Sequence, residues 1–128
     1  MSLENIREVA WTKDVNGRFV AVNCAFVNEF HVAKADAAGK TDFYVFPVQL
    51  AERLLASDLE VVREGRPART EHCISRNENA KWVEVVKSPI VDATGAILGT
   101  LTVMRDLVAP PPSTAAQGVS AAARKPKN

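Results

Sequence analysis

Two histidines, two cysteines and a scatter of carboxylates are the residues of this chain that could do chemistry. His31, His72, Cys24 and Cys73 together have the donor types of a zinc site. Their placement works against one. No C-x-x-C spacing occurs, and His72 and Cys73 are consecutive in a strand-like run, where neighbouring side chains point to opposite faces. Asp42 with His72 has the makings of an acid–base pair, but nothing in the spacing brings the two together, and both have ordinary solvent-exposed alternatives. No glycine-rich phosphate loop and no G-x-S-x-G elbow is present. The expectation is a protein with no enzymatic activity of its own.

Charge narrows the partners. The 128 residues carry 16 basic and 15 acidic side chains, and three of the basic ones (Arg124, Lys125 and Lys127) crowd the C-terminus. Without them the remainder holds 13 basic against 15 acidic groups. A surface of that balance is not expected to bind nucleic acid, which needs a basic face to displace counterions. No apolar run approaches the roughly 18–20 residues of a membrane span. The opening M-S-L-E-N-I-R-E lacks the apolar block of a signal peptide. Both cysteines read as free thiols in a reducing compartment, so a cytoplasmic protein is expected.

The elements that must position these residues follow from periodicity. Leu3, Ile6 and Ala10 fall at helical spacing and predict a lead-in helix within residues 1–8. Short strands are expected at Val9–Thr12 and Phe19–Val22, joined by a hairpin in which Asn16 and Gly17 both take positive φ. Asn23 can cap a helix from Cys24 to Phe30, with Cys24 as a small buried hydrophobe. Residues 31–47 read as short irregular helices, capped at Asp42 and stopped by Pro47. From Gln49 to Glu64 runs the clearest helix, with an apolar stripe at Ala51, Leu55, Leu59 and Val62, flanked by Leu54 and Val61, and a stop at Gly65 and Pro67. Strands are then predicted at Ala68–Ser75, Lys81–Ile90 and Ile97–Leu107, the last two joined by a Gly-bearing hairpin. Two strands, several helices and three strands indicate an α+β fold, an antiparallel sheet with helices on one face. After Val108 the Pro/Ala/Ser-rich residues 109–128 read as a flexible linker or tail.

The order of the motifs is more specific than any one of them. D-V-N-G-R-F, V-N-C-A-F, G-K-T-D, W-V-E-V-V-K-S-P and G-A-I-L-G-T-L-T-V-M-R-D-L follow one another between residues 9 and 107. In that order the sequence resembles the PAS domain, the sensory-box module of bacterial signalling proteins. The resemblance implies a five-stranded antiparallel sheet in the order 2-1-5-4-3, with helices over one face around a small cavity, across residues 9–108. It departs at the end: Val108 stands where a Thr often follows Asp106 and Leu107, and Pro110 to Pro112 oppose a helical exit.

The resemblance also frames the site. Flavin-binding photosensor members carry a Cys where this chain has Asp42, which argues against a flavin adduct; haem-binding members use a His on the long helix, which here has none. The implied cavity has Phe26, Phe30, Phe43, Tyr44, Leu55, Leu59 and Val85 as candidate apolar lining. Arg53, His72 and Lys87 are its candidate polar contributors. A small-molecule ligand is expected there, its binding relayed through dimerisation to an effector outside this chain, such as a histidine kinase or a diguanylate cyclase. Two-component or cyclic-dinucleotide signalling would be the setting. Leu3, Ile6, Trp11, Trp82 and Leu101 are candidate homodimer contacts. The alternative is a ligand-free dimerisation or protein-interaction module with a filled core.

Overall fold

A computed structural model describes residues 2–76 and 79–108, so the expected tail lies outside the described residues. Five strands form one antiparallel sheet in the order β2-β1-β5-β4-β3: β1 Val9–Asp14, β2 Phe19–Val22, β3 Ala68–Arg76, β4 Asn79–Val91 and β5 Ile97–Asp106. Between β2 and β3 come four helices: α1 Cys24–Phe30, α2 Lys34–Ala37, α3 Asp42–Val45 and α4 Val48–Glu64.

Strand alternation sets the inner face. Trp11 and Lys13 of β1, Val83, Val85 and Lys87 of β4, and Thr100, Thr102 and Met104 of β5 are all buried toward the helices. Trp11 anchors the apolar half, packing edge-on against Phe26 with ring centroids 5.5 Å apart, and near Phe19 and Phe46. Where β1 meets β5, Gly99 is required by space: a Cβ there would lie 1.9 Å from the carbonyl oxygen of Lys13.

The long helix centres its buried face on Ala51 and the flanking Leu54 and Val61 of the apolar stripe rather than on Leu55, Leu59 and Val62. Its buried face is Leu50, Ala51, Leu54, Ser57, Asp58 and Val61, while Leu59 is half-exposed. Both stripes have helical spacing; the one carrying an aspartate wins because Asp58 has cationic partners beneath it. Gly65 ends the helix in the left-handed region, its N–H donating to Val61 O.

The N-terminal segment is not the expected helix. Only Leu3–Asn5 forms a short 3-10 turn, and Ala10 belongs to β1. Asn23 explains this. Its Nδ2 donates to the carbonyls of Leu3, Ile6 and Glu8, which an α-helix would need for itself, while its Oδ1 accepts from Ala10 N and caps α1 at Phe26 N. The first hairpin also differs. Only Gly17 has positive φ, and Asp14 N donates to Arg18 O, so the loop is the three residues Val15, Asn16 and Gly17. Asp14 holds it by accepting from the backbone of Asn16 and Arg18. Cys24 is exposed, on the side of α1 away from Phe26.

Candidate functional site

Four charged side chains meet between the sheet and the helices. Lys13 comes from β1, Asp42 from the first turn of α3, Asp58 from the middle of α4 and Lys87 from β4. Lys13 Nζ donates to Asp42 Oδ2 at 2.5 Å and to Asp58 Oδ2 at 2.7 Å. Lys87 Nζ donates to the other Asp58 oxygen at 2.7 Å and to Thr102 Oγ1 at 3.4 Å. Asp58 is therefore the hub, one oxygen on each lysine. None of the four is more than 4% exposed. Such burial costs several kcal/mol per ion unless each is paired, and here the two cations are matched by two carboxylates.

Burial raises the pKa of Asp42 above the usual aspartate value, against the pull of Lys13. It lowers that of Lys87, an effect Asp58 opposes. Four buried polar atoms have no hydrogen-bond partner among the described residues: Asp42 Oδ1, Ser57 Oγ, Thr100 Oγ1 and Trp11 Nε1. They belong to the cluster or its close sequence and ladder neighbours. Ser57 precedes Asp58, Thr100 is paired with Lys13 across the β1–β5 ladder, and Trp11 is two residues before Lys13 on the same face. Unmet buried polar groups are costly and rare, so their concentration around the charge cluster sets this part of the interior apart from the aromatic core.

His72 lies farther along the inner face, opposite Val83, with its Nε2 2.9 Å from Thr70 Oγ1. Burial first, then the positive charges of Arg53 and Lys87, push its pKa from 6.5 to about 4. It is a neutral imidazole at physiological pH.

The residues singled out from sequence divide in three. Lys87, His72, Val85 and Phe26 are buried on the inner side, Phe30 is half-buried against Phe26 and Phe46, and Leu55 is half-buried beside Gly17. Phe43, Tyr44 and Leu59 are about half exposed, and Arg53 is exposed, so the structure does not bring them into this interior. Phe43 and Tyr44 face outward because α3 turns Asp42 inward instead; Asp42 is not a helix cap, Thr41 holding that position. Among the contact candidates Trp11 is fully buried in the core and cannot present a surface. Trp82 and Leu101 are half-buried on the opposite face of the sheet, and Leu3 and Ile6 are half-buried in the N-terminal segment.

Lys13 and Asp58 were not singled out from sequence, although signals existed. Lys13 alternates in phase with Trp11, and Asp58 falls four residues after Leu54 and three before Val61. Asp42 was weighed from sequence only as an acid–base partner of His72 and as a helix cap, and Lys87 as a polar contributor to a cavity, without the ion pairs that join them to Lys13 and Asp58. No cluster of three or more metal-donor side chains occurs among the described residues. No helix among them is long and apolar enough to cross a membrane.

Comparison with known proteins agrees with the sheet order and helix placement. The PAS domain of Bordetella pertussis BvgS superposes with a TM-score of 0.75 at 21% identity, covering 84% of this chain and 82% of that one. The Vibrio cholerae VqmA dimer gives 0.74 at 24%, covering 82% and 49%. VqmA bound to DPO gives the same score and identity, covering 82% and 54%, so the chain spans about half the length of the VqmA chains it matches. The PAS domain of the histidine kinase ThkA gives 0.63 at 18%, covering 77% and 99%. No curated protein matches the sequence. The PAS fold family matches residues 3–109, and with the five-stranded sheet in its β2-β1-β5-β4-β3 order the chain belongs to that family.

Proposed function

We propose that this domain is the sensory input of a signalling protein, binding a small molecule in its polar interior and passing the change to an effector outside the chain. The observation that carries the reading is the buried two-plus-two charge cluster with unpartnered Asp42 Oδ1, Ser57 Oγ and Thr100 Oγ1 around it. Its members come from β1, α3, α4 and β4, so an occupant that re-forms those ion pairs moves helices against the sheet. The β5 strand lies between β1 and β4 and carries the shift to its end at Asp106. There Lys81 joins Asp106 to Glu29 of α1, which couples the exit to the helical layer.

Relay through a homodimer fits this plan, with the half-buried Trp82 and Leu101 on the outer sheet face as contacts. A histidine kinase or a diguanylate cyclase is the expected kind of effector, and ThkA and VqmA offer precedents of PAS-like folds in a kinase and in a ligand-bound receptor. In this reading the domain catalyses nothing and binds no nucleic acid itself. Cys24 and Cys73 are exposed and form no disulfide with one another, which suits a reducing cytoplasm.

A second reading has one observation in its favour. The cluster's charges already balance, and the aromatic core from Trp11 to Phe46 is densely packed, as in a dimerisation module needing no ligand. Native mass spectrometry of the purified protein, with an absorption spectrum of the same sample, separates the two. An added mass lost on denaturation supports sensing, and its absorption would reveal a flavin or haem. A bare dimer that retains nothing from a metabolite mixture overturns sensing in favour of the module.

A further inference from the structure

We propose that Lys81 is a charge switch at the exit of the sheet: Glu29 of α1 holds its ammonium, and withdrawal of α1 hands it to Asp106 at the end of β5. The switch deepens the relay proposed above; it needs α1 to move but no ligand to be bound. Lys81 lies on β4 in phase with the buried Val83 and Val85, so its side chain rises on the helical side of the sheet. There it meets Glu29, 52 positions away in sequence. The ammonium is shared unequally. Nζ donates to Glu29 Oε2 at 2.6 Å but lies 3.3 Å and 3.5 Å from the two Asp106 oxygens. Glu29 is also the better shielded acceptor, its side chain 28% exposed against 69% for Asp106. An ammonium has three N–H donors but a single charge, so what one carboxylate releases the other can take up.

Both ends of the switch are built to respond. His31, directly after α1, sits at φ 59° and ψ 37°, a left-handed backbone that its Cβ disfavours. Phe30 packs on Phe26 and on Phe46 with ring centroids 5.0 Å apart in each pair. These ring contacts and the Glu29 ion pair hold the last turn of α1 closed against that strain, so the turn opens when one of them is lost. At the receiving end, Leu107 N donates to Trp82 O at 2.8 Å, one residue past β5 and one past Lys81. An ammonium drawn onto Asp106 ties the end of β5 to β4 and protects that bond.

The test combines NMR cross-relaxation with amide hydrogen exchange at neutral pH. Glu29→Asp keeps the charge but shortens the reach to Lys81, and Glu29→Gln removes the charge. In both, cross-peaks from the Lys81 Cε protons to the Asp106 Cβ protons are expected to strengthen. Exchange at Leu107 is expected to slow by up to about fivefold, the most that a partly exposed ion pair supports. In a Lys81→Met background, Glu29→Gln is expected to leave Leu107 unchanged. A role confined to propping up α1 would instead leave the Asp106 cross-peaks and Leu107 as they are in wild type. That result, faster exchange at Leu107, or an effect that persists without Lys81 overturns the switch. Each such outcome leaves the sensing and dimerisation readings standing, because native mass spectrometry decides those separately. Glu29→Asp alone carries the test if the double variant does not fold.

Discussion

At the scale of single residues, Asp58 holds more than its share of the buried network. It is the one carboxylate contacting both lysines. Asp58→Ala would leave Lys13 with Asp42 alone and Lys87 with only a hydroxyl, and breaking a buried pair in this way costs about 3–5 kcal/mol. Urea denaturation should show that loss. Replacing both Lys13 and Asp42 by Met and Leu should cost less, because no partner charge is stranded. His72 governs part of the acid response. Its neutral form is favoured in the fold, with a pKa near 4 against 6.5 unfolded, so its contribution is complete above pH 6.5. As the pH falls from 6.5 toward 4 the unfolded chain takes up the proton first, and stability drops by about 3 kcal/mol. Asp42 acts with the opposite sign: its raised pKa gives a contribution present below the unfolded value of 3.8 and lost as pH rises through the folded value. The two are separated by His72→Gln, which should flatten the unfolding curve between pH 6.5 and 4 relative to wild type.

At the scale of elements, two positions hold the layers in register. Asn23 closes α1 onto β1 and clasps the N-terminal segment, so Asn23→Ala loses a helix cap worth about 1 kcal/mol and further buried hydrogen bonds of similar size. A total loss of about 2–3 kcal/mol is expected, with hydrogen exchange rising most over residues 3–8. Were that segment held by its own helical bonds, exchange there would not change. Gly99 keeps β5 close enough to β1 to present Lys13 to the cluster. Gly99→Ala meets backbone, which cannot swing aside as a side chain can, so the cost should reach the upper end of the 1–3 kcal/mol typical of overpacking, about 3. Thermal denaturation measures it, and the amide shifts of Lys13 and Asp42 should move together.

At the scale of the whole molecule, the two faces of the sheet are covered differently. The inner face is closed by helices around the charge cluster, and the outer face leaves Trp82 and Leu101 half-buried. A homodimer formed on the outer face should dissociate in Leu101→Arg, observed by sedimentation velocity, while the monomer's unfolding free energy changes by no more than about 0.5 kcal/mol. A wild-type chain that sediments as a monomer at every concentration would end the dimer reading. A bound ligand at a hundred times its Kd should raise the apparent stability by about 2.7 kcal/mol in either oligomeric state.

Local chemistry is enough to place most of the strands and helices. Strand-like runs bounded by turn residues gave β1 to β5 to within a few residues, Gly65 and Pro67 gave the end of α4, and the sheet topology followed from the resemblance to the PAS domain that the ordered motifs carry. Periodicity could not choose between two apolar stripes on α4, because the choice depends on Lys13 and Lys87 reaching Asp58 from strands distant in sequence. The same limit hid the site. A lysine in a hairpin, an aspartate in a helix turn and another in a long helix each look solvent-exposed in isolation. Only tertiary packing removes water from all of them at once and leaves them one another as partners.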